Sequence, residues 1–371
     1  MRAVVDLAAH ELRARWRGWA ALVLLVAFAV GGVLAAAAGA SRTESAYPRF
    51  LTASNASDLL VGPLVSGLGG YFGALARLPG AGVVAPVAVL NLVPLGHGAL
   101  GPRTPVTTAP VDRRFGQLLD RPKVLAGRLP ASDRAGEIAV DPRAAAMLGL
   151  QVGSVLTMRA VPNGPLPGAG SAGQGPVAPR VLRERVVGMM VTRGSVLPVT
   201  ANDKVPTILA SPALFHQLGV RYAGATAAVV QLRQGASSDA FRRQAQSLTR
   251  RFRETGGGVV VGDERAQATA VQHAIRPEAI ALAVFALALA ITALLIIGQA
   301  TSRLLTTGSL INPTLAVLGM TRTQLTAAGL IEVGVAAAAG ATIAAGVAIA
   351  ASPLMPIGAA RLAEPDPGIS A

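Results

Sequence analysis

The sequence predicts a membrane protein with three α-helical transmembrane spans. A large mixed α/β extracytoplasmic domain is inserted between spans one and two. Three observations carry this reading. Only 14% of the 371 residues are charged and 52% are hydrophobic, against about 25% charged in ordinary soluble proteins. Three long runs are almost free of charge. Between the first two lies a long stretch of short β-type runs punctuated by Gly and Pro.

Span one covers 19–40, from Trp19 to Ala40, and contains no charged residue. At about 1.5 Å per residue it reaches across a hydrocarbon core of about 30 Å. Arg13, Arg15 and Arg17 precede it, and Trp16 and Trp19 mark an interface. A cleaved signal peptide is the rival reading, since Ala38–Ser41 reads AGAS. Signal-peptide apolar regions run about 7–15 residues, and this run is longer, which favours an uncleaved anchor. Span two covers 278–300, and span three covers 326–353. Span three holds one acid, Glu332, and Pro353 and Pro356 close it.

Arg2, Arg13, Arg15 and Arg17 place the segment 1–18 in the cytoplasm by the positive-inside rule. The domain 41–277 is then extracytoplasmic, 301–325 is a cytoplasmic loop bearing Arg303 and Arg322, and the tail 354–371 emerges outside. The expected location is therefore the cell membrane, multi-pass, with a cytoplasmic N-terminus.

The net charge is +14, almost all from Arg, because Lys123 and Lys204 are the only lysines. Such a composition reads either as a codon bias toward Arg, Ala, Gly and Pro or as a basic surface meeting nucleic acid or anionic lipid, and the bias is the favoured reading. No Arg run is interleaved with aromatics that could stack on bases, so no nucleic-acid partner is expected. Cysteine is absent, which excludes disulfides and thiolate chemistry.

Within 41–277, β-type runs occur at Asp58–Gly62, Gly82–Val93, Ser154–Val161, Arg185–Val191, Ala225–Leu232 and Gly257–Gly262. Phe241, Ala245, Leu248 and Phe252 recur at helical spacing and predict a helix over Ser238–Thr255. One pattern occurs twice. Ile138–Leu150 and Ile208–Val220 each read as a strand, a cap (Asp141 or Ser211), a proline, and a Leu-Gly stop. Asp or Ser caps a helix, Pro takes its first turn, and Gly ends it in a left-handed conformation. The repeat reads either as a duplication or as two instances of a common capping pattern.

Pro162–Pro179 is a Gly/Pro-rich loop containing Gly168, Gly170 and Gly173 in formal G-x-G-x-x-G spacing. The flanking Pro and Gly residues prevent the helix that a dinucleotide site needs. His10, His97, His216 and His273 show no metal-ligand spacing, and no Walker or nucleophile-elbow motif is present. No catalytic residue, cofactor site or metal site is expected, and the chain does not read as an enzyme. Glu332, an intramembrane acid, reads as a packing or interfacial residue or as an ion-coupling group. Gly334, Ala338, Thr342 and Gly346 form a small-residue stripe suited to close helix packing.

The stretch Leu315–Leu325, LAVLGMTRTQL, lies between spans two and three. Leu315, Leu318 and Leu325 can share one apolar face, Gly319 permits close approach, and Arg322 can grip a carboxylate. Thr321 or Thr323 can cap the turn into span three. Lying in the headgroup layer and docking on a partner both fit the pattern.

The order of spans and domain, the stretch Gly136–Leu156 (GEIAVDPRAAAMLGLQVGSVL), the loop LAVLGMTRTQL and the tail EPDPG at Glu364–Gly368 resemble the FtsX/MacB-like family of ABC-transporter permeases, actinobacterial type. The resemblance implies a MacB-like periplasmic core domain and a permease of the mechanotransmission type. It implies a separate cytoplasmic ABC ATPase that binds the ATP, a second permease copy, membrane lipid, and an extracytoplasmic substrate or protein. It favours docking on that ATPase through Leu315, Leu318, Gly319, Met320, Arg322 and Leu325. Family units have four spans, so a three-span chain reads as a partial unit. The segment Gln299–Thr314 lacks the charged run that family members carry there. The alternatives are a membrane-anchored binding or sensing protein without an ATPase, or a secreted domain if span one is cleaved.

Overall fold

The computed structural model describes residues 2–64, 68–97, 101, 104–163, 178–196, 205–252, 260–308, 321–356, 358 and 360–365. The chain divides into two compact units, 1–46 with 275–371, and 47–274.

The first unit is helical. Helix α1 (Arg2–Ala14) is followed by a turn at Arg15 and then α2 (Trp16–Ser54). Three helices are long and apolar enough to cross a membrane: α2, α8 (Glu264–Gly308) and α9 (Arg322–Ala351). Trp19, Leu22 and Val26 of α2 bury against Ala336 of α9. Ile297, Ala300 and Leu304 of α8 pack on the same cluster. Close approach depends on missing side chains. A Cβ at Gly340 would lie 2.6 Å from Val26 Cγ1, and one at Gly31 would lie 3.2 Å from Val347.

Helices α2 and α8 continue well past the apolar runs at 19–40 and 278–300. Each carries one interior proline, Pro48 and Pro277. Each proline lacks the N–H that would bond the carbonyl four residues earlier, which weakens the helix there. Both lie within three residues of the boundary between the units. After α9 a turn leads to the short α10 (Ala360–Ala363). Arg42 donates to the Ser352 carbonyl at 3.1 Å and to its hydroxyl at 2.6 Å, and lies 3.9 Å from the buried Glu364.

The second unit is mixed α/β. Its strands are β1 (Leu59–Leu64), β2 (Ala81–Leu90), β3 (Leu92–Pro94), β4 (Val106–Pro110), β5 (Lys123–Gly127) and β6 (Glu137–Val140). They continue with β7 (Val155–Ala160), β8 (Arg180–Val191), β9 (Thr207–Ala210), β10 (Ala223–Leu232) and β11 (Val260–Asp263). These form one 11-stranded sheet in the order β11-β1-β10-β2-β4-β9-β6-β8-β7-β3, with β5 paired to β8. The pairs β4/β9 and β6/β8 are parallel.

The run Gly82–Val93 is two strands. At Asn91 the chain leaves β10 and β4 and takes β7 as its partner. The Asn91 side chain donates to Asn163 at 2.7 Å, and its N–H donates to the Tyr222 carbonyl.

One face of the sheet is covered by helices. Helix α3 (Leu68–Ala76) and α7 (Ser238–Arg251) bury Tyr71, Phe72, Leu75, Phe241 and Ala245 against β1, β2 and β10. Helix α7 ends at Arg251, and its C-cap Phe252 stays 40% exposed; the expected helix over Ser238–Thr255 therefore stops short, and residues 253–255 lie outside the described residues.

Helix α4 (Pro142–Leu148) and α6 (Pro212–Leu218) are the two repeated units. Asp141 and Ser211 cap them, accepting from Ala144 N at 2.6 Å and Leu214 N at 3.2 Å. Gly149 is left-handed as expected. Gly219 has φ 75 but ψ 177, a different region that also excludes side chains. Strands β6 and β9 are antiparallel neighbours, and both helices share one core with Leu156, Met158 and Val186.

That core holds a buried acid. Glu184 of β8 is 2% exposed and faces the same side as Val186, and its Oε2 has no hydrogen-bond partner. Burial pushes its carboxyl up to about 7.

Candidate functional site

Of the loop residues singled out in the sequence, Leu315, Leu318, Gly319 and Met320 lie outside the described residues. So do Gly168, Gly170 and Gly173. Arg322 and Leu325 fall in the first turn of α9, so this helix begins before the expected span at 326. The cause is a capping box. The Thr321 side chain accepts from Gln324 N, and Gln324 Oε1 accepts from Thr321 N at 3.0 Å. Thr321, one of the two expected caps, is the cap.

Glu332 is half-buried on α9, against which α1 packs. Gly334, Ala338, Thr342 and Gly346 are exposed, and a Cβ on either glycine would meet nothing within 4 Å. The contact seam within the chain is instead Ala336, Gly340 and Ala344, two residues out of phase with the expected stripe. Both sets have four-residue spacing, and an Ala/Gly-rich helix offers several such faces.

The structure reveals a constellation that periodicity does not show. It lies within the α/β unit, where α2 ends and α8 begins. Helix α2 stops at Ser54, and Asn55 takes φ 49. Asn55 donates to the Leu118 carbonyl at 2.6 Å, and its own carbonyl accepts from Asp120 N. Asp120 Oδ1 accepts from Ser57 N at 2.9 Å. Asp58 accepts from Arg265 Nε at 2.6 Å and from Leu232 N at 2.8 Å.

Helix α8 starts just after β11, with Asp263 accepting from Ala266 N at 3.0 Å. Its first residue, Glu264, is ion-paired with Arg193. Arg193 also donates to the Ser57 carbonyl at 3.0 Å and approaches Asp120 at 4.0 Å. One largely buried guanidinium from α5 (Arg193–Val196) thus ties the exit of α2 to the entry of α8.

Beside this clasp is an open cleft of about 710 Å³ on the sheet face opposite the helices. Its floor is formed by Leu60, Val87, Val89, Ala225, Ala227 and Val229. Phe50, Phe115, Arg193 and Glu264 stand at its walls. The lining is mainly apolar, with charge confined to the clasp side. Among the described residues no cluster of His, Asp and Glu could hold a metal ion.

No protein-family model matches the chain, and no curated protein matches it. Among solved structures it is similar to the periplasmic region of MacB from Actinobacillus actinomycetemcomitans. The identity is 11% and the TM-score 0.32, over 58% of this chain and 92% of that one. It is similar to the extracellular domain of the noncanonic ABC-type transporter YknZ from Gram-positive bacteria, at 11% identity and TM-score 0.34, over 55% of this chain and 98% of that one. A domain of a permease protein from Porphyromonas gingivalis gives 12% identity and TM-score 0.30, over 55% of this chain and 87% of that one. All three are partial likenesses at low identity.

Proposed function

We propose that the protein is the permease subunit of an ABC transporter of the mechanotransmission type. In this reading a separate cytoplasmic ATPase drives the spans, and the spans move an extracytoplasmic α/β domain. One observation carries it. Helices α2 and α8, 39 and 45 residues long, each run from an apolar span into the α/β unit without a linker. At about 1.5 Å per residue they are about 60 and 70 Å long, roughly twice a hydrocarbon core. A helix that continues through its interior proline, though weakened there, still transmits displacement better than a flexible tether would. The clasp of Arg193, Glu264, Asp58 and Arg265 joins the two helix ends to the sheet.

The ATPase would dock on Leu315–Leu325, and a second permease copy would complete the assembly. Solute conduction fits less well, because the spans offer few polar groups beyond Glu332. Co-expression of the full chain with its ATPase tests the reading. Leu318→Asp with Arg322→Glu should abolish co-purification while leaving membrane insertion intact. Retained ATPase binding by that variant would remove the docking role. Failure of the wild-type chain to bind any ABC ATPase would leave an anchored binding protein.

A further inference from the structure

The sheet has a second uncovered region, remote in register from the cleft. At its β8-β7-β3 end the helices cover only the face bearing Leu156, Met158, Ala160 and Glu184. The opposite face follows from the pairings. Val93, Arg159 and Val181 form one cross-strand row, Thr157 and Arg183 the next, and Val155 and Arg185 the third. Residues paired across strands share a face. Val181 is 63% exposed, Val155 47% and Val93 42%, and the three arginines are exposed.

Among the described residues, none of the Arg159, Arg183 and Arg185 side chains makes a hydrogen bond or ion pair. The carboxylate that shares Arg185's register is Glu137 of β6. It is already occupied: Arg128 grips it at 2.6 and 2.7 Å, Arg134 at 3.2 Å, and Ala131 N donates at 3.0 Å. The Arg128 hydrogen bond, with those of Ala131 and Arg134, holds its carboxyl down at about 2. The connecting stretch 164–177 contains no acidic residue. Among the described residues, these three guanidinium groups are therefore left without a counter-charge.

We propose that this face is a docking surface for an acidic protein segment that alternates carboxylate and aliphatic side chains. Charge complementarity calls for an anion. The chain's own net charge of +14 makes a second copy a poor occupant. The valines choose between kinds of anion, because a phosphate polymer has no use for three exposed aliphatic groups interleaved with the cations. Spacing agrees. Arg183 and Arg185 lie two residues apart on one strand, about 6.8 Å, and alternate side chains of an extended acidic segment repeat at that same distance. Arginine is also enriched in protein interfaces. The proposal goes beyond the permease reading and does not depend on an ATPase.

The test uses the full chain in nanodiscs of zwitterionic lipid at about 150 mM salt, where nonspecific attraction is screened. The probe is a fluorescein-labelled peptide of six Val-Glu repeats, followed by anisotropy. The combined variant Arg159→Gln, Arg183→Gln, Arg185→Gln should bind it about tenfold more weakly, the sum of three exposed charge pairs. Charge reversal guards against loss of fold: Arg159→Glu with Arg183→Glu and Arg185→Glu should gain binding to the matching Val-Lys peptide. Val155→Ser with Val181→Ser should weaken the Val-Glu peptide but not polyphosphate. Equal binding by wild type and the glutamine variant would overturn the proposal. So would competition by polyphosphate, or by vesicles rich in phosphatidylglycerol, as strong as that by unlabelled peptide, since the surface would then read charge alone.

Discussion

The two faces of the sheet solve opposite problems. The helix-covered face buries Ile138, Leu156, Met158 and Val186 and tolerates one acid, Glu184, without a partner on Oε2. The open face carries its acids in company. Glu137 has two arginines and a backbone donor, and Glu264 has Arg193. Glu137 and Glu184 lie on neighbouring strands, yet one carboxyl is held at about 2 and the other pushed up to about 7. Burial without a partner disfavours the charge, whereas guanidinium partners favour it. The covered face therefore supplies cohesion, and the open face carries oriented charge.

Breaking the clasp should have the largest effect. Arg193→Met leaves Glu264 and Asp120 without their guanidinium, and removing one partner of a buried pair costs about 3–4 kcal/mol. Hydrogen exchange should accelerate in β1, β11 and the start of α8, while β7 remains protected. Uniform exchange changes across the unit would mean that the clasp is not local.

The second effect has the opposite sign. The folded value of Glu184 is raised from 4.5 to about 7. The native state therefore binds its proton more tightly than the unfolded chain does. The resulting stability is present below about pH 4.5 and is lost as pH rises through 7. At about 1.4 kcal/mol per unit the full loss is about 3 kcal/mol by pH 8. Glu184→Gln should abolish this slope and protect the β7–β8 region at pH 8; an unchanged slope would show that Glu184 does not titrate there.

The smallest effect tests the paired acid. Glu137→Gln should cost about 1 kcal/mol above pH 4.5, because Arg128 and Arg134 are at least half exposed and solvent screens them. That stability should vanish as pH falls toward 2 in the wild type, the reverse of the Glu184 trend. The exchange protection of β6 between pH 5 and pH 2 measures it.

This division also explains what the sequence discloses. The covered face is written in local periodicity: Phe241 and Ala245 mark α7, and the Asp141 and Ser211 caps mark α4 and α6. The spans are written in composition. The open face depends on long-range register. Arg193, Ser57 and Glu264 are far apart in the chain and meet only in the folded unit, where β1 pairs with β11 just ahead of α8. A faint local trace exists in Asp263-Glu264 ahead of α8, since acids favour helix starts, but it names no partner. Arg159 and Arg183 likewise share a face only after β7 and β8 pair. In the spans, packing within the chain uses Gly340, while Gly334 and Gly346 stay exposed, because four-residue spacing recurs on several faces of an Ala/Gly-rich helix.

The central claim is that α2 and α8 carry motion into the cleft region through the clasp. Ser54 and Gln267 line that cleft from the two helices, and the chain has no native cysteine. Spin labels on Ser54→Cys and Gln267→Cys in the full chain, reconstituted with its ATPase, report their separation by pulsed electron paramagnetic resonance. The account predicts a distance distribution that shifts when ATP is added, with the shift lost when Arg193→Met is introduced. An unchanged distribution during active ATP hydrolysis would contradict it.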